Sequence, residues 1–138
     1  MPRVSVYLNF SRSTEAAFLF YKSVFNTEFI MPVARYRDIP TQPGQPSVAE
    51  ADQNLVMHVE LPILGGHVLM GSDAPESMGF TVTTGNNIYI NLEPDTRDET
   101  ERLFNALAQG GTVEMPLQDM FWGGYFGKIG RASCRERV

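Results

Sequence analysis

Cysteine is almost absent from this sequence, lysine is scarce and long apolar runs are missing; each shortage narrows what the chain can do. Cys134 is the single cysteine in 138 residues, so no disulfide can close within the chain, which fits a reducing compartment. Only two lysines occur, Lys22 and Lys128, and the formal net charge is −5. Phosphate neutralisation needs clustered Lys and Arg, so nucleic acid is not an expected partner. No stretch approaches the length of a membrane span, and Met1 to Phe10 alternates as signal peptides do not. The expectation is therefore no membrane partner and a cytoplasmic location. A glycine-rich phosphate loop, a nucleophile elbow, a Cys-x-x-Cys pair and a zinc pattern are missing too, which argues against nucleotide binding and covalent catalysis.

What remains is an ordinary globular composition, 43% hydrophobic and 20% charged, at a length that suits one core. Val4 to Phe10 alternates with period two, placing Val4, Val6, Leu8 and Phe10 on one face and Ser5, Tyr7 and Asn9 on the other. Ser11, Ser13 and Glu15 supply N-terminal signals for a helix from Ser13 to Phe25, with Ala17, Phe18, Tyr21 and Phe25 at helical spacing. Glu28 to Tyr36 reads as a strand. The Pro/Gly/Gln-rich stretch from Asp38 to Asp52 has neither period and is a candidate lid or subunit contact. Leu55 to Leu61 and His67 to Ser72 form an expected hairpin around Gly65-Gly66, with Met57, Val59, Leu61, Val68 and Met70 as its apolar face and His58, Glu60 and His67 opposite. After a turn-rich passage, Asn87 to Leu92 alternates again. A helix beginning at Asp95 presents Thr100, Leu103, Phe104 and Leu107 inward and stops at Gly110-Gly111, before short strands over Thr112 to Met115 and Met120 to Gly127.

Ser5-Val-Tyr-Leu-Asn-Phe10 and Asn87-Ile-Tyr-Ile-Asn-Leu92 match position by position, and each opens the same order of elements. The pattern is an α+β fold of two βαβββ modules, about 3–73 and 86–127, within a single domain of residues 1–127. The second module lacks its last strand. From Lys128 onward the pattern stops, and Ile129 to Val138 resembles the translation of a sequencing-adapter oligonucleotide. Residues 128–138 are accordingly expected to be a non-native tail outside the fold. Setting aside its three arginines and one glutamate leaves eight basic and fifteen acidic residues, a net charge of −7.

Tyr7-Leu-Asn-Phe10, Ala17-Phe18, Phe20-Tyr-Lys-Ser-Val-Phe25, Met57-His58, Leu69-Met-Gly-Ser-Asp73 and Met115-Pro-Leu-Gln-Asp-Met-Phe-Trp-Gly123 resemble the PhnB-like branch of the vicinal oxygen chelate superfamily, which includes glyoxalases, bleomycin-resistance proteins and extradiol dioxygenases. The likeness spans nearly all of Val4 to Gly127. It implies two modules curving a mixed sheet round a concave pocket, a homodimer, and a small-molecule ligand. The family's ending, resembling Thr-Asp-Lys-Phe-Gly-Val before a Trp-containing strand, does not follow Gly127.

Superfamily enzymes hold a divalent metal on the first and last strands of each module, and the resemblance puts Ser5, Met70 and Asn87 at the three ligand positions present. A hydroxyl, a thioether and an amide replace imidazole and carboxylate poorly, so no metal is expected as a cofactor. The expected ligand pocket draws on the recurring polar faces, Ser5, Tyr7, Asn9, Asn87, Tyr89 and Asn91, with Met57, Met70, Phe121, Trp122 and Phe126 as apolar walls. The same spacing would also suit core residues. His58, His67 and Glu60 can be read as a two-His-one-carboxylate site or as a hydrogen-bonded surface cluster, and their separation along the hairpin favours the cluster. The leading expectation is a small-molecule-binding protein without the usual metal. The alternatives are a metal-dependent lyase, dioxygenase or transferase of the superfamily, and a drug-sequestering resistance protein. No glycine-rich methyl-donor loop follows the first strand, which argues against the methyltransferase labels attached to this family.

Overall fold

The alternation that opens the chain becomes β1 (Val6–Phe10), in which Phe10 is buried while Tyr7 and Asn9 are exposed. The computed structural model describes residues 2–40, 48–130 and 135–137, the last three by their backbone alone. These fall into two compact units, Met1–Thr83 and Thr84–Val138.

In the first unit, α1 (Thr14–Phe25) buries Phe18, Tyr21 and Val24 along one stripe. It ends at Asn26, whose left-handed φ of 58° lets its N–H donate to Lys22 O at 2.9 Å. The expected Ser13 cap makes no side-chain hydrogen bond. Asp73 caps the helix instead, with Oδ1 accepting from Thr14 N at 3.0 Å and Thr14 Oγ1 at 2.8 Å, while Oδ2 accepts from Val56 N at 2.8 Å. One buried carboxylate thus ties the helix start to the sheet.

The expected strand over Glu28 to Tyr36 shrinks to β2 (Ala34–Arg35), since Pro32 has no N–H to give a ladder. A single 3₁₀ turn, Tyr36–Asp38, follows. Residues 41–47 of the expected lid loop lie outside the described residues. The hairpin forms as β3 (Val56–Pro62) and β4 (Val68–Asp73), with Gly65 and Gly66 at φ of 66° and 80° supplying the turn. The sheet order is β1-β4-β3-β2, with β1 and β4 parallel and the other pairs antiparallel.

Register corrects one sequence expectation. Val59 faces Gly71 and Leu61 faces Leu69, whereas Met70 sits between Glu60 and Tyr7. Directly paired residues share a face, so Met70, and with it Val68 opposite Pro62, lies on the side of Tyr7 and Glu60, not with Val59 and Leu61. The apolar side is the one α1 covers. A Cβ at Gly71 would stand 2.7 Å from Phe18 Cε1, so glycine there is what lets the helix settle.

The second unit repeats this plan. β5 is only Ile90–Asn91 rather than Asn87 to Leu92. α2 (Arg97–Ala108) starts at Thr96, whose side chain accepts from Glu99 N at 3.1 Å, and buries the expected Thr100, Leu103, Phe104 and Leu107. β6 (Thr112–Asp119) bulges around Pro116 and pairs with β7 (Tyr125–Gly130). The expectation that residues from Lys128 onward stand outside the fold is corrected: β7 continues through Gly130, and Ile129 is fully buried. The backbone of β8 (Arg135–Arg137) then pairs antiparallel with β7 and parallel with β5, occupying the place of the last strand expected to be missing. Ladder hydrogen bonds join backbone to backbone, so this pairing does not depend on an apolar strand pattern. The order β5-β8-β7-β6 reproduces that of the first unit.

Candidate functional site

Because β1 and β4 run parallel, Asn9 and Phe10 meet Ser72 and Asp73 at one end of the first unit's sheet. A cavity of about 460 Å³ opens there, lined by Asn9, Tyr36, Ser72, Asp73, Ala74 and the segment Phe80, Thr81, Val82, Thr83. Ser72 Oγ donates to Asn9 Oδ1 at 3.2 Å, fixing the amide so that its NH₂ group remains a donor. Tyr36 Oη donates to Asp73 O at 2.6 Å. Burial pushes the Tyr36 phenol above its ordinary pKa, helped by Asp73 and then Tyr7, so it stays a neutral hydrogen-bonding group. The Asp73 carboxylate is the one carboxylate in the lining, and its oxygens already accept from Thr14 and Val56. The cavity therefore offers hydroxyls, an amide and the half-exposed Phe80 ring rather than free charge.

The polar sheet face continues away from the cavity. Tyr7 Oη is 3.1 Å from His58 Nδ1, and the two rings stack with centroids 5.6 Å apart. His58 Nε2 is 3.8 Å from Glu60 Oε2, and Glu60 meets Arg3 at 3.4 Å. His67 is engaged elsewhere, with Nε2 accepting from Val6 N at 3.3 Å.

Of the eleven pocket residues expected from sequence, Asn9 lines the cavity. Tyr7 and Met70 share its face, and Ser5 does so by alternation. Met57 is half-buried, with the parity of Val59 and Leu61. Asn87, Tyr89, Asn91, Phe121, Trp122 and Phe126 belong to the second unit. There Tyr89 Oη donates to Glu114 at 2.6 Å, and Phe121 and Trp122 stand 96% and 58% exposed on the turn between β6 and β7. Sequence reasoning missed Tyr36, Ser72 and Phe80 to Thr83. Ser72 was within reach, since it shares parity with Met70 and pairs with Asn9; Phe80 to Thr83 have no periodicity to betray them.

Within the first unit, the residues at the metal positions that the resemblance implies, Ser5 and Met70, are poor donors for a divalent ion. Ser5 Oγ is buried without a hydrogen-bond partner among the described residues, and Met70 offers only a thioether, so the first unit contributes no anionic or imidazole donor at these places. Among the described residues no group of three or more His, Cys, Asp or Glu could hold a metal ion. Nor is any helix among them long and apolar enough to cross a membrane.

The family model described as 3-demethylubiquinone-9 3-methyltransferase matches residues 2–124. The chain belongs to this family. Solved structures share its fold. Protein PA1353 from Pseudomonas aeruginosa superposes with a TM-score of 0.82 at 29% identity, covering 100% of this chain and 96% of that one. A Bacillus cereus PhnB protein, described as a putative 3-demethylubiquinone-9 3-methyltransferase, gives 0.68 at 26%, covering 99% and 97%. A glyoxalase/bleomycin resistance protein/dioxygenase family enzyme from Burkholderia phytofirmans shares the fold, with a TM-score of 0.60 at 19% identity and coverage of 96% and 94%. The PhnB-like family thus carries the α+β fold that the repeat and motifs predicted.

Proposed function

We propose that this PhnB-like protein binds a small, uncharged, partly apolar, oxygen-bearing molecule in the first unit's cavity, without the superfamily's divalent metal, as a cytoplasmic homodimer. The observation that carries the reading is the lining itself: about 460 Å³ walled by Asn9, Ser72, Tyr36, two threonines and Phe80, with its one carboxylate already committed. That volume suits a small ligand, and few placed polar groups beside an aromatic wall give orientation with modest desolvation cost. Ser5, Met70 and Asn87 at the superfamily's ligand positions support the metal-free part.

The test measures metal content and thermal midpoint with and without manganese, nickel and zinc, then screens neutral oxygen-bearing fragments by ligand-observed NMR. The expected result is no stoichiometric metal, no metal-induced shift, and fragment binding lost in Ser72→Leu, which fills the cavity. Stoichiometric metal with a large stabilisation would overturn the metal-free reading, and fragment binding unchanged by Ser72→Leu would overturn the assignment of the cavity.

A further inference from the structure

The polar face beside the cavity carries a chain of titratable groups that simple ligand binding does not require. His58 lies between Tyr7 Oη, 3.1 Å from Nδ1, and Glu60 Oε2, 3.8 Å from Nε2. Glu60 is 8% exposed, and Arg3 at 3.4 Å supplies its counter-charge. The Glu60 carboxylate, 3.8 Å from Nε2, lies beyond hydrogen-bond reach but close enough for Coulombic attraction, and the tautomer with its hydrogen on Nε2 leaves Nδ1 to accept the Tyr7 hydroxyl proton. Hydroxyl, imidazole and carboxylate in this order allow the imidazole to take the hydroxyl's proton while the hydroxyl takes another, and the carboxylate steadies the resulting cation. Tyr7 is 47% exposed, so it is open to a ligand. It stands two residues before Asn9 on the same face and close enough to Tyr36 to interact electrostatically, and both of those residues wall the cavity.

We infer that Tyr7, His58 and Glu60 form a metal-free proton relay serving the cavity, matched to a ligand with a weakly acidic hydroxyl, an enol or a phenol. This rests on the binding reading above and adds chemistry to it. In the step, the ligand O–H bond breaks and its proton passes to Tyr7 Oη, while the Tyr7 hydroxyl proton passes to His58 Nδ1. The ligand is left as an enolate or phenolate, and His58 becomes an imidazolium facing Glu60. One proton moves from ligand to imidazole, and no other reactant is consumed.

The probe is 4-nitrophenol, whose anion absorbs in the visible while the neutral form does not. Binding is followed by saturation-transfer NMR and ionisation by absorbance, at a pH where the free probe is partly protonated, and the His58 charge is read by ¹⁵N NMR. The relay predicts that bound probe shifts about tenfold toward the anion as His58 gains its proton. His58→Gln should abolish that shift while retaining binding and thermal midpoint, Tyr7→Phe should abolish it and weaken binding, and Glu60→Gln should reduce it. A probe that binds but stays neutral, or one equally ionised by Tyr7→Phe, would overturn the relay and leave the cavity standing. A probe that does not bind would overturn the relay's match to phenols, while the cavity stands or falls with the fragment screen.

Discussion

Arg12 shows how a single side chain can organise segments far apart in sequence. Its guanidinium meets Asp52 Oδ1 at 2.7 Å and Glu76 Oε1 at 2.9 Å, joining the start of α1 to two turns 40 and 64 residues onward. Ser77 donates to the same Asp52 and Ser11 to the same Glu76. The second turn leads directly into Phe80 to Thr83, so this clasp fixes one wall of the cavity. Asp52 is held below the usual carboxylate range by Ser77 and then Arg12; Glu76 is held there by its own backbone N–H and then Arg12. A carboxyl whose folded pKa is depressed gives stability that is present above its ordinary value and lost as pH falls through the folded one. The thermal midpoint should therefore fall on acidification below about pH 4. Arg12→Met should lower it already at neutral pH and flatten the acid limb, because Asp52 then titrates nearer its ordinary value. Parallel curves for the two proteins would show that the clasp contributes nothing to acid lability. None of this was legible in the sequence, where residues 12, 52 and 76 share no spacing or motif.

At the scale of elements, each helix settles on its sheet through a phenylalanine over a glycine. A Cβ at Gly71 would lie 2.7 Å from Phe18 Cε1 and 3.1 Å from Leu8 O; one at Gly127 would lie 2.7 Å from Phe104 Cε2 and 3.0 Å from Met115 O. Backbone oxygens on one side and fully packed rings on the other leave neither position room to give. Gly71→Ala and Gly127→Ala should each cost about 2 kcal/mol in urea unfolding, with Phe18→Leu recovering part of the first loss. A cost near zero would mean that the helix can slide. The helices themselves were the most legible elements: α2 buries the four residues that its 3.6-residue stripe names, while α1 buries Phe18 and Tyr21 of its expected stripe but leaves Ala17 and Phe25 half-buried, takes Val24 inward instead, and is capped by Asp73. Strands were less so. Parity within β1 set Tyr7 and Asn9 on the exposed face, but parity cannot say which residue of a partner strand lies opposite. That is why Met70 was assigned to the wrong face, and why Ser72, opposite Asn9, was overlooked. The polar half of the candidate site was thus readable from one strand, while its Tyr36 and Phe80 to Thr83 walls come from turns that carry no pattern.

The whole molecule is one plan used twice, and the two copies differ most in their last strand. β4 pairs with β1 over five residues and with β3 over four, whereas β8 pairs with β5 over two and with β7 over three. In both units that strand lies between the first strand of the module and the rest of its sheet. If β8 pairing were lost, the two-residue β5 would have no strand partner among the described residues, and Lys128 to Gly130 would show open backbone groups along one edge. The internal repeat says what a fuller strand looks like, since His67 to Asp73 already performs this role in the first unit. Replacing residues 131–138 with a segment patterned on His67 to Asp73 should raise the thermal midpoint by about 5 °C. It should also slow amide exchange at Ile90 and Asn91, where a chain ending at Gly130 should show faster exchange than the present one. Equal midpoints and unchanged exchange across the three chains would mean that β5 is held without β8. The symmetry of the two sheets would then describe their order without accounting for their stability.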